Sequence, residues 1–146
     1  MYIYQFKDKA RFLSNFHPCA ILYHGVLYPS TEHAYQAQKS KSLKEKITVS
    51  LLDSPGKAKR HRVRFSVDKN WWEENKIRIM SELTAIKYSD ANPCMREMLV
   101  ETWPLDLVEG NEWGDTFWGV SPPVRGTGRN ELGKILMQRR DEVMKL

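Results

Sequence analysis

Apolar and polar positions alternate through the first third of the chain and then recur with helical spacing to its end. Tyr2, Tyr4 and Phe6 fall on one side of an extended run, the two-residue period of a strand. Residues 20–23 and 26–28 flank His24-Gly25, so they read as a hairpin whose turn has glycine where φ must be positive. Pro29 ends the second strand, Ser30 is an N-cap, and a helix runs through Tyr35 and Lys39 with Glu32 in its first turn, where the helix dipole favours an anion. Leu43, Ile47 and Leu51 recur every four residues, which predicts a second amphipathic helix closed by Ser54-Pro55-Gly56. From Trp72, the positions Ile79, Leu83 and Ile86 mark a long helix to Lys87, and Met95, Met98 and Leu99 mark another after Asn92-Pro93. An apolar run at 105–109 reads as a strand, and a last helix from Asn130 buries Leu132, Ile135, Leu136 and Val143. The pattern predicts an α+β fold, a mostly helical single domain over residues 1–146 with a small N-terminal β-hairpin.

A length of 146 residues is one domain's worth, enough to bury a core without disulfides or a structural metal. Cys19 and Cys94 are too few and too unpatterned for a secreted disulfide scaffold, which points to a reducing cytoplasmic setting. No window carries the roughly 18 uninterrupted apolar residues of a membrane span, and residues 1–6 lack the charged start and apolar stretch of a signal peptide. The balance of 23 basic against 18 acidic residues gives +5, a mild bias that suits an anionic ligand.

The densest chemistry lies in Asn111-Glu-Trp-Gly-Asp-Thr-Phe-Trp-Gly119, followed by Gly126-Thr-Gly-Arg-Asn-Glu-Leu-Gly133. Aromatic walls beside an acid suit a planar or sugar-bearing ligand, although tryptophans are also common core residues. Asn130 is placed as a helix cap, and a helix start behind glycines is also a ready anion site. Glu32, Gln36 and Lys39, at i, i+4 and i+7, share one polar helix face, which is either solvated or lines a site. The run 57–64 holds five Lys/Arg and a histidine, open to three readings: a phosphate fork, a nucleic-acid stripe or a solvated face. Trp71-Trp72 opens the long helix, where tryptophan is most often a core anchor. Zinc chemistry is not supported, since no C-x-x-C exists and Pro93-Cys94-Met95-Arg96 lacks the second cysteine of a deaminase signature. No Walker A sequence, strand-borne G-x-G-x-x-G or G-x-S-x-G elbow occurs, and no cofactor is implied.

Five ordered motifs resemble one family from Phe12 to Arg140: Leu13-Ser-Asn-Phe16; Pro29-Ser-Thr-Glu-His33 running to Gln36-Ala-Gln-Lys39; Trp72 with Met80 and Lys87; Leu107-Val-Glu109 with Asp115-Thr-Phe-Trp-Gly119; and Gly128-Arg-Asn-Glu-Leu-Gly133 with Leu136, Met137 and Arg139. The chain resembles the NADAR, or YbiA-like, family. One departure is the family's Gly-Arg pair after the second helix, which here reads His61-Arg62-Val63-Arg64 and leaves open which arginine meets phosphate.

The resemblance implies hydrolysis of N-glycosidic bonds in phosphorylated N-ribosides, either ribosylamino-pyrimidine phosphates of early riboflavin synthesis or ADP-ribose on guanine bases. It implies Glu32, Trp72, Asp115 and Trp118 as the functional set, with Lys39 and Asn15 as further members; Glu32, Asp115 and Lys39 are then read as catalytic, and Asn15, Phe16, Trp72, Trp118, Gly119, Arg62, Lys87 and Asn130 as substrate-binding, with Arg62, Arg64 or Lys87 taking phosphate and no metal. The partner is then a small phosphorylated nucleoside-like substrate or ADP-ribosylated nucleic acid, with no membrane. Cleaving a C1′–N bond passes through an oxocarbenium-like state that a carboxylate stabilises, while a lysine of lowered pKa could attack C1′ as a Schiff-base nucleophile. Two other classes stand beside this reading: a non-catalytic ADP-ribose or nucleotide-binding module, and a small basic nucleic-acid-binding protein whose affinity would fall steeply with salt.

Overall fold

In the computed structural model, residues 1–63 and 66–145 are described, so Arg64 of the basic run lies outside the described residues. In chain order the elements are β1 (Tyr2–Ile3), a 3-10 helix (Asp8–Leu13), β2 (Pro18–Tyr23), β3 (Val26–Ser30), α1 (Thr31–Ala37), α2 (Leu43–Ser50), α3 (Pro55–Arg60), α4 (Lys69–Lys87), α5 (Pro93–Glu101), β4 (Asp106–Leu107) and α6 (Glu131–Met144). This is the mostly helical α+β fold that the hydrophobic pattern predicts. Among the described residues no helix is long and apolar enough to cross a membrane. The chain divides into two compact units, Asn15–Lys87 and Met1–Ser14 with Tyr88–Leu146.

In the unit Asn15–Lys87, β2 and β3 form the expected hairpin, pairing Ile21 with Tyr28 and Tyr23 with Val26. His24 and Gly25 both take positive φ, 47° and 81°, the twist that a two-residue turn needs. Ile21, Tyr23, Val26 and Tyr28 face inward while Leu22 and Leu27 face out, the two-residue alternation of a half-buried ribbon. Pro29 sits inside β3 rather than ending it, at an outward-facing position. Ser30 caps α1 as expected, its Oγ accepting from the His33 N–H at 3.1 Å. The His33 ring is held on both sides, Nδ1 by Ser30 Oγ at 2.6 Å and Nε2 by the Leu52 carbonyl at 2.9 Å. Since a carbonyl only accepts, Nε2 carries the proton, and burial pushes this imidazole below its ordinary pKa.

Three further expectations fail in this unit. Leu43, Ile47 and Leu51 do form a stripe on α2, but they are 61%, 43% and 77% exposed, and the helix packs against α1 and β3 with Val49 fully buried. Four-residue spacing identifies a common face without saying which face meets the core, and Val49 lies on the opposite side from Ile47. Ser54-Pro55-Gly56 starts α3 instead of closing α2: Ser54 Oγ accepts from the Lys57 N–H at 3.1 Å and Pro55 fills the first helical position, where its missing N–H is harmless. The long helix α4 also begins earlier than Trp72, because Asp68 Oδ1 accepts from the N–H groups of Asn70 (2.6 Å) and Trp71 (3.3 Å).

In the other unit, β1 runs parallel to β4, with Ile3 opposite Leu107. The extended run expected through Phe6 is strand only at Tyr2–Ile3; Tyr2 and Tyr4 are exposed and stack on one another. The backbone then forms the 3-10 helix, tied by a 3.0 Å bond from the fully buried Tyr88 hydroxyl to the Phe12 carbonyl. Helix α6 buries Leu132, Ile135, Leu136 and Val143 as predicted and packs on α5 and β4.

Candidate functional site

The helix α1 is buried along its whole length, which decides the open question about its polar face. Glu32 is 7% exposed and Gln36 8%, so this face is inside the protein. A buried carboxylate requires a hydrogen-bond donor, and Gln36 Nε2 supplies one to Glu32 Oε1 at 2.9 Å, one helical turn on. Just past the helix, Lys39 Nζ lies 5.7 Å from the Tyr35 ring centre and 5.6 Å from that of Trp72. Those two rings are 5.1 Å apart and tilted by 54°. Burial lowers the Lys39 pKa, and nearby Lys76 adds to this, while Glu32 and Glu73 pull the other way. Trp72 comes from α4, 5% exposed, so the anchor that the sequence placed at this helix start is also the wall of a carboxylate–lysine cluster.

Asn15 and Phe16 precede the hairpin. The Asn15 amide reaches Met80 Sδ at 3.6 Å and its carbonyl accepts from the Glu32 N–H at 3.1 Å, fixing the start of α1. Lys59 Nζ lies 5.8 Å from the Phe16 ring. Arg62 is exposed beyond the end of α3. Lys87 is placed otherwise than a phosphate-binding arm requires: it is 1% exposed at the end of α4, and burial lowers its pKa to about 7, Cys19 partly opposing the shift. An amine so enclosed in unit Asn15–Lys87 does not extend into solvent to collect phosphate.

The Asp115–Trp118 turn lies in the other unit. Asp115 Oδ1 accepts from the N–H groups of Phe117 (3.1 Å) and Trp118 (2.9 Å), so one carboxylate oxygen shapes the turn. Asn111, 1% exposed, clamps the same residue, accepting from its N–H at 3.0 Å and donating to its carbonyl at 2.8 Å. Phe117 and Trp118 meet edge to face at 4.8 Å, and the Arg129 guanidinium covers the Phe117 ring at 4.6 Å. Gly119 is a packing requirement: a Cβ there would collide with the Glu109 carbonyl and carboxylate. Asn130 takes a left-handed φ of 52° and makes no side-chain cap; its amide instead donates to the Leu107 carbonyl and accepts from the Glu109 N–H, both at 2.9 Å. It braces β4 to the start of α6, with one donor and one acceptor position of its amide committed to the backbone. The anion site expected at that helix start is also closed, since the N–H groups of Glu131 and Leu132 donate to the Phe117 and Trp118 carbonyls at 3.1 Å.

Of the residues that the sequence singles out, the structure groups Glu32, Lys39 and Trp72 in one unit, together with Tyr35, which the sequence did not single out and whose ring completes the wall around Lys39. Its position four residues before Lys39 on a helix was the available signal.

The NADAR domain model matches residues 2–144, and the chain belongs to the NADAR family. It is 32% identical to the N-glycosidase YbiA of Escherichia coli, over 96% of this chain and 86% of that protein. It is also 32% identical to the riboflavin biosynthesis protein VVA0006 of Vibrio vulnificus, over 98% of this chain but only 38% of the relative's length. The N-glycosidase Npun_R5314 of Nostoc punctiforme matches at 30% over the whole chain and 94% of that protein. The NMR structure of E. coli YbiA superposes with a TM-score of 0.80 at 31% identity, covering 99% of this chain and 84% of that one.

Proposed function

We propose that the protein is a hydrolase that cleaves the C1′–N bond of a phosphorylated N-riboside. The observation that carries this reading is the buried Glu32 carboxylate on α1 with Lys39 in the turn just beyond that helix, an amine held below its ordinary pKa against the Tyr35 and Trp72 rings. As the C1′–N bond breaks, positive charge gathers on C1′ and the ring oxygen, where a fixed carboxylate stabilises it and can take a proton from attacking water. An N-ribosylamine opens a second route. Neutral Lys39 adds to C1′ of the ring-opened imine, the aglycone amine leaves with a proton, and water hydrolyses the lysine imine. Trp72 is the stacking wall for base or ribose. Asp115 and Trp118 complete the functional set by their match to the family motif, and Arg62 is the residue proposed for phosphate. Since the family model spans both units, residues 1–146 are read as one functional domain.

A ribosylamino-pyrimidine phosphate is the proposed substrate, a reading supported by the name of the Vibrio relative, a riboflavin biosynthesis protein. ADP-ribose on a guanine base offers the same bond and is the alternative. Mass spectrometry of purified protein with each substrate decides between them: free pyrimidine assigns the first, and loss of ADP-ribose mass from an oligonucleotide assigns the second. Saturable binding with no turnover of either would replace the enzyme with a binding module. Borohydride added during turnover should trap a covalent adduct on the wild type and none on Lys39→Ala if the imine route operates; no adduct on either leaves the direct water route.

A further inference from the structure

The unit Asn15–Lys87 holds a cavity of about 430 Å³ that shares no residue with the Glu32–Lys39 cluster. The hairpin turn contributes Tyr23 and His24, the segment after α1 gives Lys41, α2 gives Lys46, and α4 gives Trp71 and Arg78. Its size is that of a small-molecule site.

Two features of the lining point to one ligand chemistry. The first is flat aromatic surface: the His24 ring lies over that of Tyr23 at 4.0 Å and 16°, and Trp71 is 40% exposed while its neighbour Trp72 is 5% exposed. An indole turned outward into a cavity is not a core anchor, and its apolar face is available for stacking. The second feature is positive charge. Lys41 and Lys46 form no ion pair among the described residues. Arg78 is held in place by Glu82 at 2.8 Å and partly neutralised by it. Among the described lining residues one acid, Asp68, whose Oδ1 caps the start of α4, stands against the three cations Lys41, Lys46 and Arg78, so the lining keeps a positive balance.

We infer that this cavity binds a nucleotide unit, its base stacked on Trp71 or on the His24 face and its phosphate held by Lys41 and Lys46. The unit is either a free mononucleotide or one residue of a single strand, and both present the same base and phosphate. The inference does not depend on the N-glycosidase reading, because the two sites have no residue in common.

Amide and indole NMR spectra of the full chain, titrated with AMP, adenosine, inorganic phosphate and a short oligothymidylate, test it. AMP should shift the Trp71 indole N–H and the His24, Lys41 and Lys46 amides saturably. Lys41→Ala/Lys46→Ala should weaken that binding about tenfold or more, as should Trp71→Ala, with adenosine and phosphate each binding more weakly than AMP. An oligothymidylate that binds more tightly than AMP, with a steep salt dependence, would identify a strand as the source; one that binds no tighter would identify a free nucleotide. Shifts confined to Tyr35, Lys39 and Trp72, or binding unchanged in both sets of variants, would overturn the inference, as would phosphate binding as tightly as AMP.

Discussion

Asp115 shapes its turn through one carboxylate oxygen, and substitution can separate that role from the catalytic charge proposed for it. Asparagine keeps an Oδ1 that can accept from the Phe117 and Trp118 N–H groups, whereas alanine loses the turn as well as the charge. If the charge stabilises the transition state, Asp115→Asn should lower kcat by about 10²-fold with an unchanged melting temperature, and Asp115→Ala should lower both. Full turnover in Asp115→Asn would reduce the residue to a turn former. Glu32 and Lys39 were legible as a pair because helix periodicity puts i and i+7 on one face; that the helix ends at Ala37, with Lys39 in the turn beyond it, and that the Glu32 face is buried were not. Lys87 shows the same gap more sharply. Its folded pKa of about 7 lies below the 10.5 of an unfolded chain, so between these values the unfolded state binds more protons and stability rises with pH. The wild-type rise from pH 7 to 10.5 should be on the order of 4 kcal/mol, and Lys87→Met should remove it. Urea titrations across this range read the difference, and parallel curves for the two proteins would show that burial does not depress the amine.

At the scale of elements, α2 shows how far periodicity reaches. Leu51→Lys on the exposed stripe should change stability by less than about 0.5 kcal/mol, whereas Val49→Ala, one buried side chain on the other face, should cost about 1 to 3 kcal/mol. The reverse order in thermal melts would restore the face that the spacing predicts. The hairpin, α1, α4, α5 and α6 were all legible, because turn residues, caps and apolar repeats are local signals. The 3-10 helix, the start of α3 and the short reach of β1 were not. Ser54-Pro55 serves equally well as a stop or a start, and only the Ser54 bond to Lys57 shows which. The 115–119 turn is similar: its glycines and aromatics were visible, but the closure of the α6 start by the Phe117 and Trp118 carbonyls depends on segments distant in sequence.

For the molecule as a whole, the formal charge of +5 gives the proposed phosphorylated substrate a long-range attraction. Raising salt from roughly 0.05 to 0.5 M shortens the Debye length severalfold, so kcat/KM should fall about threefold with kcat little changed. A kcat/KM independent of salt would exclude such steering. The sequence by itself determined the α+β class, the order of most elements, the family and the identity of the candidate carboxylates, lysine and tryptophans, since these follow from local periodicity and from motifs of fixed spacing. Only the tertiary structure decided which helix faces are buried, that Lys39 is walled by Tyr35 and Trp72, and that Lys87 and Asn130 are enclosed or committed to backbone. Desolvation, pKa and hydrogen-bond satisfaction belong to the surroundings of a side chain, and those surroundings come from residues far away in the chain.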